Sequence, residues 1–147
     1  MTVYHKLSGD EPAGIFGRLI EFATSIDFTV EDAELPGSVN GDCTHELHRI
    51  RVGISHSPAQ RVKTLAHEIG HALLDEQCDN RALAELEAES MVYVICQALG
   101  LDTSEYVAGW AGGGEQAIAG IKGSCERIQK AAASVLQSFE VEQEQAA

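Results

Sequence analysis

The segment from Ser57 to Leu74 constrains the fold of this chain more than any other part of the sequence. Ser57 is a favourable helix N-cap, Pro58 suits the first helical position, and Gln60 completes a capping box. The residues that follow, RVKTLAHEIGHALL, continue the helical segment to its end. These signals predict a helix over residues 57–74.

This helix carries the sequence HEIGH, an HExxH motif that runs from His67 to His71. Because the two histidines are four residues apart, their imidazoles lie one turn apart on the same helix face. Such a pair can bind one tetrahedral metal ion, with each nitrogen about 2.0–2.1 Å from the ion. Glu68 projects beside the metal rather than onto it, where it can accept a proton from a water molecule. The motif therefore predicts a metal site with Glu68 as its catalytic base.

An HExxH sequence can also occur by chance on a solvated helix. Here the flanking residues are mostly apolar, which indicates a largely buried helix, and buried histidine and glutamate side chains are costly without a partner. Small residues in the same stretch would allow a backbone or a substrate to come close. The residues that favour a metal site in this way are Leu65, Ala66, Ile69, Gly70, Ala72, Leu73 and Leu74.

The third protein ligand must come from outside the motif. In the extended pattern HExxHxxGxxH, Leu74 and Gln77 occupy the positions of the glycine and the third histidine, so the metzincin pattern is absent. The remaining common solution is a carboxylate from the following helix, which gives two histidines and one glutamate. We predict that helix over residues 81–99, ending at Gly100.

Three glutamates of the second helix are candidates for this ligand: Glu85, Glu87 and Glu89. A short polar turn makes the two helices antiparallel neighbours, so the first turns of the second helix lie opposite the histidine pair. Glu85 and Glu89 share one face at a spacing of four, whereas Glu87 points elsewhere, towards an expected solvated face. We predict Glu85 as the ligand and Glu89 as the acceptor that orients a ligand imidazole.

The order of the elements favours an α+β fold, with a small antiparallel sheet packed on a helical bundle that carries the HExxH helix. The length of 147 residues suits a single domain spanning residues 1–147. We expect the polar tail over residues 140–147 to fray. The predicted helices cover residues 12–25, 57–74, 81–99 and 115–139, the predicted strands cover residues 28–30 and 46–54, and a loop covers residues 32–43.

Composition restricts the classes of partner and compartment. The chain has a formal net charge of −13, so it gains no binding free energy by releasing counterions from a phosphate backbone. We therefore expect no direct binding of nucleic acid and favour a basic protein or peptide as partner. The opening residues show no signal-peptide pattern, and no apolar run is long enough to span a membrane. The four cysteines are widely spaced without a CxxC pair, which argues against a disulfide framework. We therefore expect a cytoplasmic protein.

Three segments of the sequence together resemble the ImmA/IrrE-type metallopeptidases: SPAQRVKTLAHEIGHALL, AELEAESMVYVICQALGLD and YVAGWAGG. They lie within roughly residues 50 to 112. The resemblance implies a compact zincin-like domain with a gluzincin-like active site. Carried over by position, the Zn²⁺ ligands are His67, His71 and Glu85, and the base is Glu68. Glu87 and Glu89 remain alternatives for the third ligand.

The resemblance also implies a regulatory function, because members of this family often cleave a DNA-binding repressor. The sequence has no helix-turn-helix region, so we expect a separate protein or peptide substrate. The leading hypothesis is a zinc-dependent metallopeptidase, with an extended peptide paired to the strand over residues 46–54. The alternative is a zinc-containing binding module that holds a basic partner without proteolytic turnover.

Several residues outside the motif are further candidates. The Tyr106 hydroxyl can stabilise an oxyanion, and Trp110 can reach the site, with packing as the alternative for both. We interpret Cys78 as a turn residue. Three histidines near the strand that precedes the motif helix can bind substrate, shield the metal or lie at the surface: His45, His48 and His56.

Overall fold

Four helices and one three-stranded sheet form the described part of the protein. The computed structural model describes residues 12–36, 39–75, 80–100 and 125–146. The predicted α+β fold is confirmed. In chain order the elements are α1 (Pro12–Ser25), β1 (Thr29–Ala33), β2 (Gly41–Thr44), β3 (Arg49–Gly53), α2 (Pro58–Leu74), α3 (Arg81–Leu99) and α4 (Cys125–Ala146).

The two central helices, α2 and α3, begin and end where the capping signals predict. The Ser57 hydroxyl accepts a hydrogen bond of 3.2 Å from the backbone N–H of Gln60 at the start of α2. Asn80 caps α3 in the same way, since its side-chain oxygen accepts from the backbone N–H of Leu83 at 3.1 Å. Gly100 ends α3 in the left-handed conformation, with φ 77°.

The sheet is mixed rather than purely antiparallel, which corrects the predicted topology. The strand order is β1-β3-β2, so β3 lies in the centre. β1 pairs with β3 in parallel, with Thr29 opposite Arg49. β2 pairs with β3 antiparallel, with Gly41 opposite Val52. The loop predicted over residues 32–43 therefore contains the end of β1 and most of β2.

The strand predicted over residues 46–54 begins only at Arg49. The preceding residues form the turn that joins β2 to β3, and this turn is closed by a hydrogen bond of 3.1 Å from the backbone N–H of His48 to the carbonyl of His45. His48 adopts a left-handed conformation there, with φ 48°. His48 therefore belongs to a turn and not to the predicted strand.

Aliphatic side chains from every helix and from the central strand form one core. α2 packs against α1, α3, α4 and the sheet, so it lies at the centre of the molecule. Gly70 allows α3 to approach α2, because a Cβ at this position would lie 3.1 Å from Cα of Ala88. Core side chains with no exposed surface include Ile15, Leu19, Ile50, Val52, Leu65, Ile69, Met91, Leu99, Val135 and Phe139.

The last helix, α4, differs from its predicted range at its C-terminal end. It continues to Ala146, so the tail that we expected to fray is helical. The predicted start at residue 115 lies outside the described residues. Among the helices that the structure describes, none combines the length and the apolar character that crossing a bilayer would require.

Candidate metal centre

A cleft of about 570 Å³ lies between α2, α3 and the edge strand β2. Each element contributes side chains to its walls, and most of these side chains are polar or charged. Because the HExxH residues face this cleft, it is the candidate functional site. Its lining includes Gly41, Asp42 and Cys43 from β2, Gln60, Thr64, His67, Glu68 and His71 from α2, Asp75 after α2, and Arg81, Ala84, Glu85 and Glu89 from α3.

Three donor side chains converge in the cleft: His67, His71 and Glu85, with donor atoms within 4.8 Å of one another. The two Nε2 atoms of the histidines are 3.2 Å apart. One oxygen of Glu85 lies 3.3 Å from Nε2 of His67 and the other lies 2.8 Å from Nε2 of His71. The antiparallel arrangement of α2 and α3 thus brings the predicted set together.

These distances fit a shared metal ion. Tetrahedral coordination at bonds of 2.0–2.1 Å places any two ligand atoms about 3.3 Å apart. The separation of 3.2 Å between the two imidazole nitrogens lies near this value. The two oxygens of Glu85 each lie close to one of these nitrogens, at 3.3 and 2.8 Å. Two imidazole nitrogens and a carboxylate are also a donor set that binds zinc and related divalent ions. The cluster could therefore hold one such ion at the wall of the cleft.

The second nitrogen of each imidazole faces an acid. Nδ1 of His71 lies 2.9 Å from Oδ1 of Asp75, in hydrogen-bond contact. Because a carboxylate only accepts, His71 carries its hydrogen on Nδ1 and keeps the Nε2 lone pair free for a metal. Asp75 was not among the predicted site residues, although its position four residues after His71 on the same helix face was a usable signal.

Glu89 faces the other imidazole. Its Oε1 lies 3.3 Å from the buried Nδ1 of His67, at ion-pair distance but without the alignment of a hydrogen bond. Burial would lower the pKa of His67, but contact with Glu89 and the negative charges around it outweigh this effect and raise the pKa. Glu89 thus lies where an acceptor that orients His67 must be.

Glu68 lies beside the donor cluster and is almost fully buried, with 7% of its surface exposed. Burial raises the pKa of its carboxyl to about 7, against the lowering effect of His67 and His71. A carboxyl with a pKa in this range can both accept and release a proton near neutral pH. The position and the pKa of Glu68 are those that a general base requires.

Glu87 lies away from the cleft, and its interpretation as a residue of a solvated face is wrong. It has no exposed surface and forms a two-pronged ion pair with Arg127 of α4, with N–O distances of 3.0 and 3.1 Å. Arg127 also donates a hydrogen bond of 3.0 Å to the carbonyl of Leu74. Glu87 therefore connects α3, α4 and the end of α2 and does not belong to the donor cluster.

The three additional histidines lie in different surroundings. His45 reaches the site indirectly, since its Nε2 lies 3.1 Å from Oδ2 of Asp75. His48 stacks on Phe28 and bonds the carbonyl of Asp27, away from the cleft. His56 is half-buried next to Gly53 at the end of β3. Of these three histidines, only His45 is connected to the donor cluster, through Asp75.

The strand that lines the cleft is β2 and not the predicted strand over residues 46–54. β3, which corresponds to that prediction, is paired on both sides and has no free edge.

β2 brings Cys43 into the cleft as a neutral thiol, because burial and the charges of Glu68 and Asp75 raise its pKa to about 12. The candidates Tyr106, Trp110 and Cys78 lie outside the described residues.

Comparison with known proteins gives one match. The profile of a peptidase family, described as the IrrE N-terminal-like domain, matches residues 25–94. This match supports a function of the metallopeptidase type. Searches of curated proteins and of solved structures gave no significant match. The matched residues 25–94 contain the donor cluster and Glu68, so this part of the chain is similar to the IrrE N-terminal-like domain.

Proposed function

We propose that the protein is a zinc-dependent peptidase whose metal ligands are His67, His71 and Glu85. The convergence of these three donors beside a buried glutamate carries the proposal. The fit of the separations between the donor atoms to a tetrahedral ion supports zinc as the metal. The open side of the cluster faces a cleft large enough for a peptide segment.

Zinc, when bound, supplies a Lewis acid that activates a water molecule and polarises the scissile carbonyl. Glu68 accepts a proton at its carboxylate and later donates it to the nitrogen of the leaving amine. Because Glu68 is buried, its carboxylate is kept out of bulk water, and the proton that it accepts is kept from exchanging with solvent. Asp75 holds the His71 ring so that its Nε2 faces the cluster.

The outer edge of β2 is the surface that we propose for peptide binding. β2 is an edge strand of the sheet, and Gly41, Asp42 and Cys43 line the same cleft as the donors. An extended peptide can add to such an edge through main-chain hydrogen bonds. Since β3 is central, the edge of β2 replaces the strand that the sequence suggested for this role.

We propose a separate protein as the substrate, with a basic segment at the cleavage site. Carboxylates from all three walls surround the cleft: Asp42, Asp75, Glu85 and Glu89. The whole chain carries a net charge of −13, so its long-range field attracts basic partners. A DNA-binding repressor fits this requirement, because its DNA-contacting surface is basic.

The decisive test is the substitution Glu68→Gln. The amide keeps the size of the side chain but cannot act as a base, so we expect unchanged zinc content and a loss of turnover of about 10²–10⁴-fold. Zinc content is measured by elemental analysis, and cleavage by mass spectrometry of basic proteins and peptides incubated with the enzyme. Glu46→Gln, on the exposed turn after β2, is the matched control and should retain full activity.

Two results would reject the proposal. Equal cleavage by the Glu68→Gln variant would remove Glu68 from the mechanism. A wild-type protein that binds zinc and its partner but cleaves nothing would favour the alternative, a zinc-containing binding module.

A further inference from the structure

The carboxylate of Asp75 lies between two imidazoles, one on each oxygen. Oδ1 is 2.9 Å from Nδ1 of His71, and Oδ2 is 3.1 Å from Nε2 of His45. Because a carboxylate only accepts hydrogen bonds, both imidazoles donate to it. A continuous chain of contacts therefore runs from His45 through Asp75 and His71 to the donor cluster.

Asp75 needs such partners because of its position. It is the C-cap residue of α2, where the carbonyls at the negative end of the helix dipole disfavour a carboxylate. Its side chain is 28% exposed, so packing alone does not fix its rotamer. Two donors on opposite oxygens fix the carboxylate plane and oppose the effect of the dipole.

His45 is itself held in place by its surroundings. It begins the turn between β2 and β3, which the hydrogen bond from the backbone N–H of His48 to the His45 carbonyl closes. Its ring packs edge-on against the buried ring of Phe28, with centroids 5.9 Å apart. His45 is therefore a fixed donor and not a freely rotating surface side chain.

We propose that His45 is a positioning residue of the metal centre, which acts on His71 through Asp75. With Oδ2 held by His45, Oδ1 stays aligned with Nδ1 of His71, and the ring keeps its Nε2 towards the metal. The turn after β2 is thereby coupled to a ligand of the proposed zinc ion. This inference rests on the metal site of the proposed function but not on peptidase activity.

The test measures zinc affinity by titration against a competing chelator. We expect His45→Ala to weaken zinc binding about tenfold, at the lower end of the effects of orienting partners. His45→Gln should restore most of the affinity, because its amide N–H can still donate to Asp75. His48→Ala is the matched control, because the imidazole of His48 also packs on Phe28 but does not contact Asp75. This variant should bind zinc like the wild type.

A double-mutant cycle with Asp75→Asn separates the proposed route from a general loss of structure. If His45 acts through Asp75, the double variant His45→Ala/Asp75→Asn binds zinc no more weakly than Asp75→Asn alone. Three results would overturn the inference and leave the proposed function intact. The losses of zinc affinity in the two single variants could add in the double variant, His48→Ala could lose as much affinity as His45→Ala, or His45→Ala could bind zinc as tightly as the wild type. A wild-type protein that does not bind zinc would overturn both.

Discussion

Each imidazole of the proposed metal site has one nitrogen directed at the cleft and the other directed at an acid. Asp75, at the C-terminal end of α2, faces His71, and Glu89, near the middle of α3, faces His67. These acids fix which nitrogen is free, and they add negative charge that favours a cation in the cluster. The side chains of His67, His71, Asp75 and Glu89 thus act as one unit. Removal of either acid should therefore weaken metal binding.

Two of the three glutamates of α3 that were candidates as ligands, Glu85 and Glu87, should behave differently. Glu85→Ala should abolish tight zinc binding but leave the fold intact, because this side chain is 46% exposed and faces the cleft. Glu87→Ala should keep the zinc site but lower the free energy of unfolding by about 3–5 kcal/mol, since it breaks a buried ion pair. Chelator titration and urea denaturation of both variants measure the two effects. Loss of zinc binding in a folded Glu87→Ala variant would contradict the assignment.

The site residues differ in how far the sequence could predict them. The spacing within HExxH and the spacing of four between Glu85 and Glu89 are local, so these residues could be placed from the sequence. The environment of Glu87 could not, because its partner Arg127 lies 40 positions away on α4. The contact between His45 and Asp75 spans 30 positions and depends equally on the tertiary fold.

At the level of elements, the close contact between α2 and β2 shapes the cleft. A Cβ at Gly41 would lie 2.6 Å from Cγ2 of Thr64 and 2.7 Å from the carbonyl oxygen of Arg51. The second of these atoms belongs to the backbone of β3 and cannot rotate away. The absence of a side chain at Gly41 therefore lets β2 lie directly over the helix that carries Glu68.

Gly41→Ala should push β2 away from α2 and lower both stability and cleavage. A small overpacking substitution of this kind costs about 1–3 kcal/mol. The matched control is Gly17→Ala in α1, where a Cβ meets no atom within 4 Å. Because alanine is the better helix former, this control should gain up to about 1 kcal/mol. Thermal and urea denaturation measure both, and a neutral Gly41→Ala would contradict the close contact.

The elements themselves show where sequence patterns are informative. α1, α2 and α3 could be predicted to within a residue or so, because helical periodicity and, for α2 and α3, capping residues are local signals. β2 could not, since its four half-buried residues, GDCT, show no alternation and follow several turn-forming residues. The mixed pairing of the sheet depends on contacts between distant segments, which no local pattern encodes.

At the scale of the whole molecule, the proposed metal site draws its ligands from two different helices. His67 and His71 belong to α2 and Glu85 belongs to α3, so a bound ion crosslinks the two helices at the cleft. A ligand that binds the folded state but not the unfolded chain stabilises the fold. The account therefore predicts that zinc raises the melting temperature.

At free zinc 100 times its dissociation constant, the expected gain in the free energy of unfolding is about 2.7 kcal/mol. Differential scanning calorimetry with and without zinc measures this gain as a shift in Tm. The variant His67→Ala/His71→Ala should show no shift, and His45 variants should show a smaller one than the wild type. A zinc-induced shift that persists without both histidines would place the stabilising ion elsewhere.

X-ray absorption spectroscopy of the zinc-loaded protein tests the central claim most directly. The account predicts one zinc ion per chain with two imidazole nitrogens at about 2.0–2.1 Å and oxygen as the remaining ligands. The Glu85→Ala variant should have lost this signal. A zinc ion with a sulfur ligand, such as Cys43, or a spectrum without the scattering of two imidazoles would contradict the assignment of His67, His71 and Glu85.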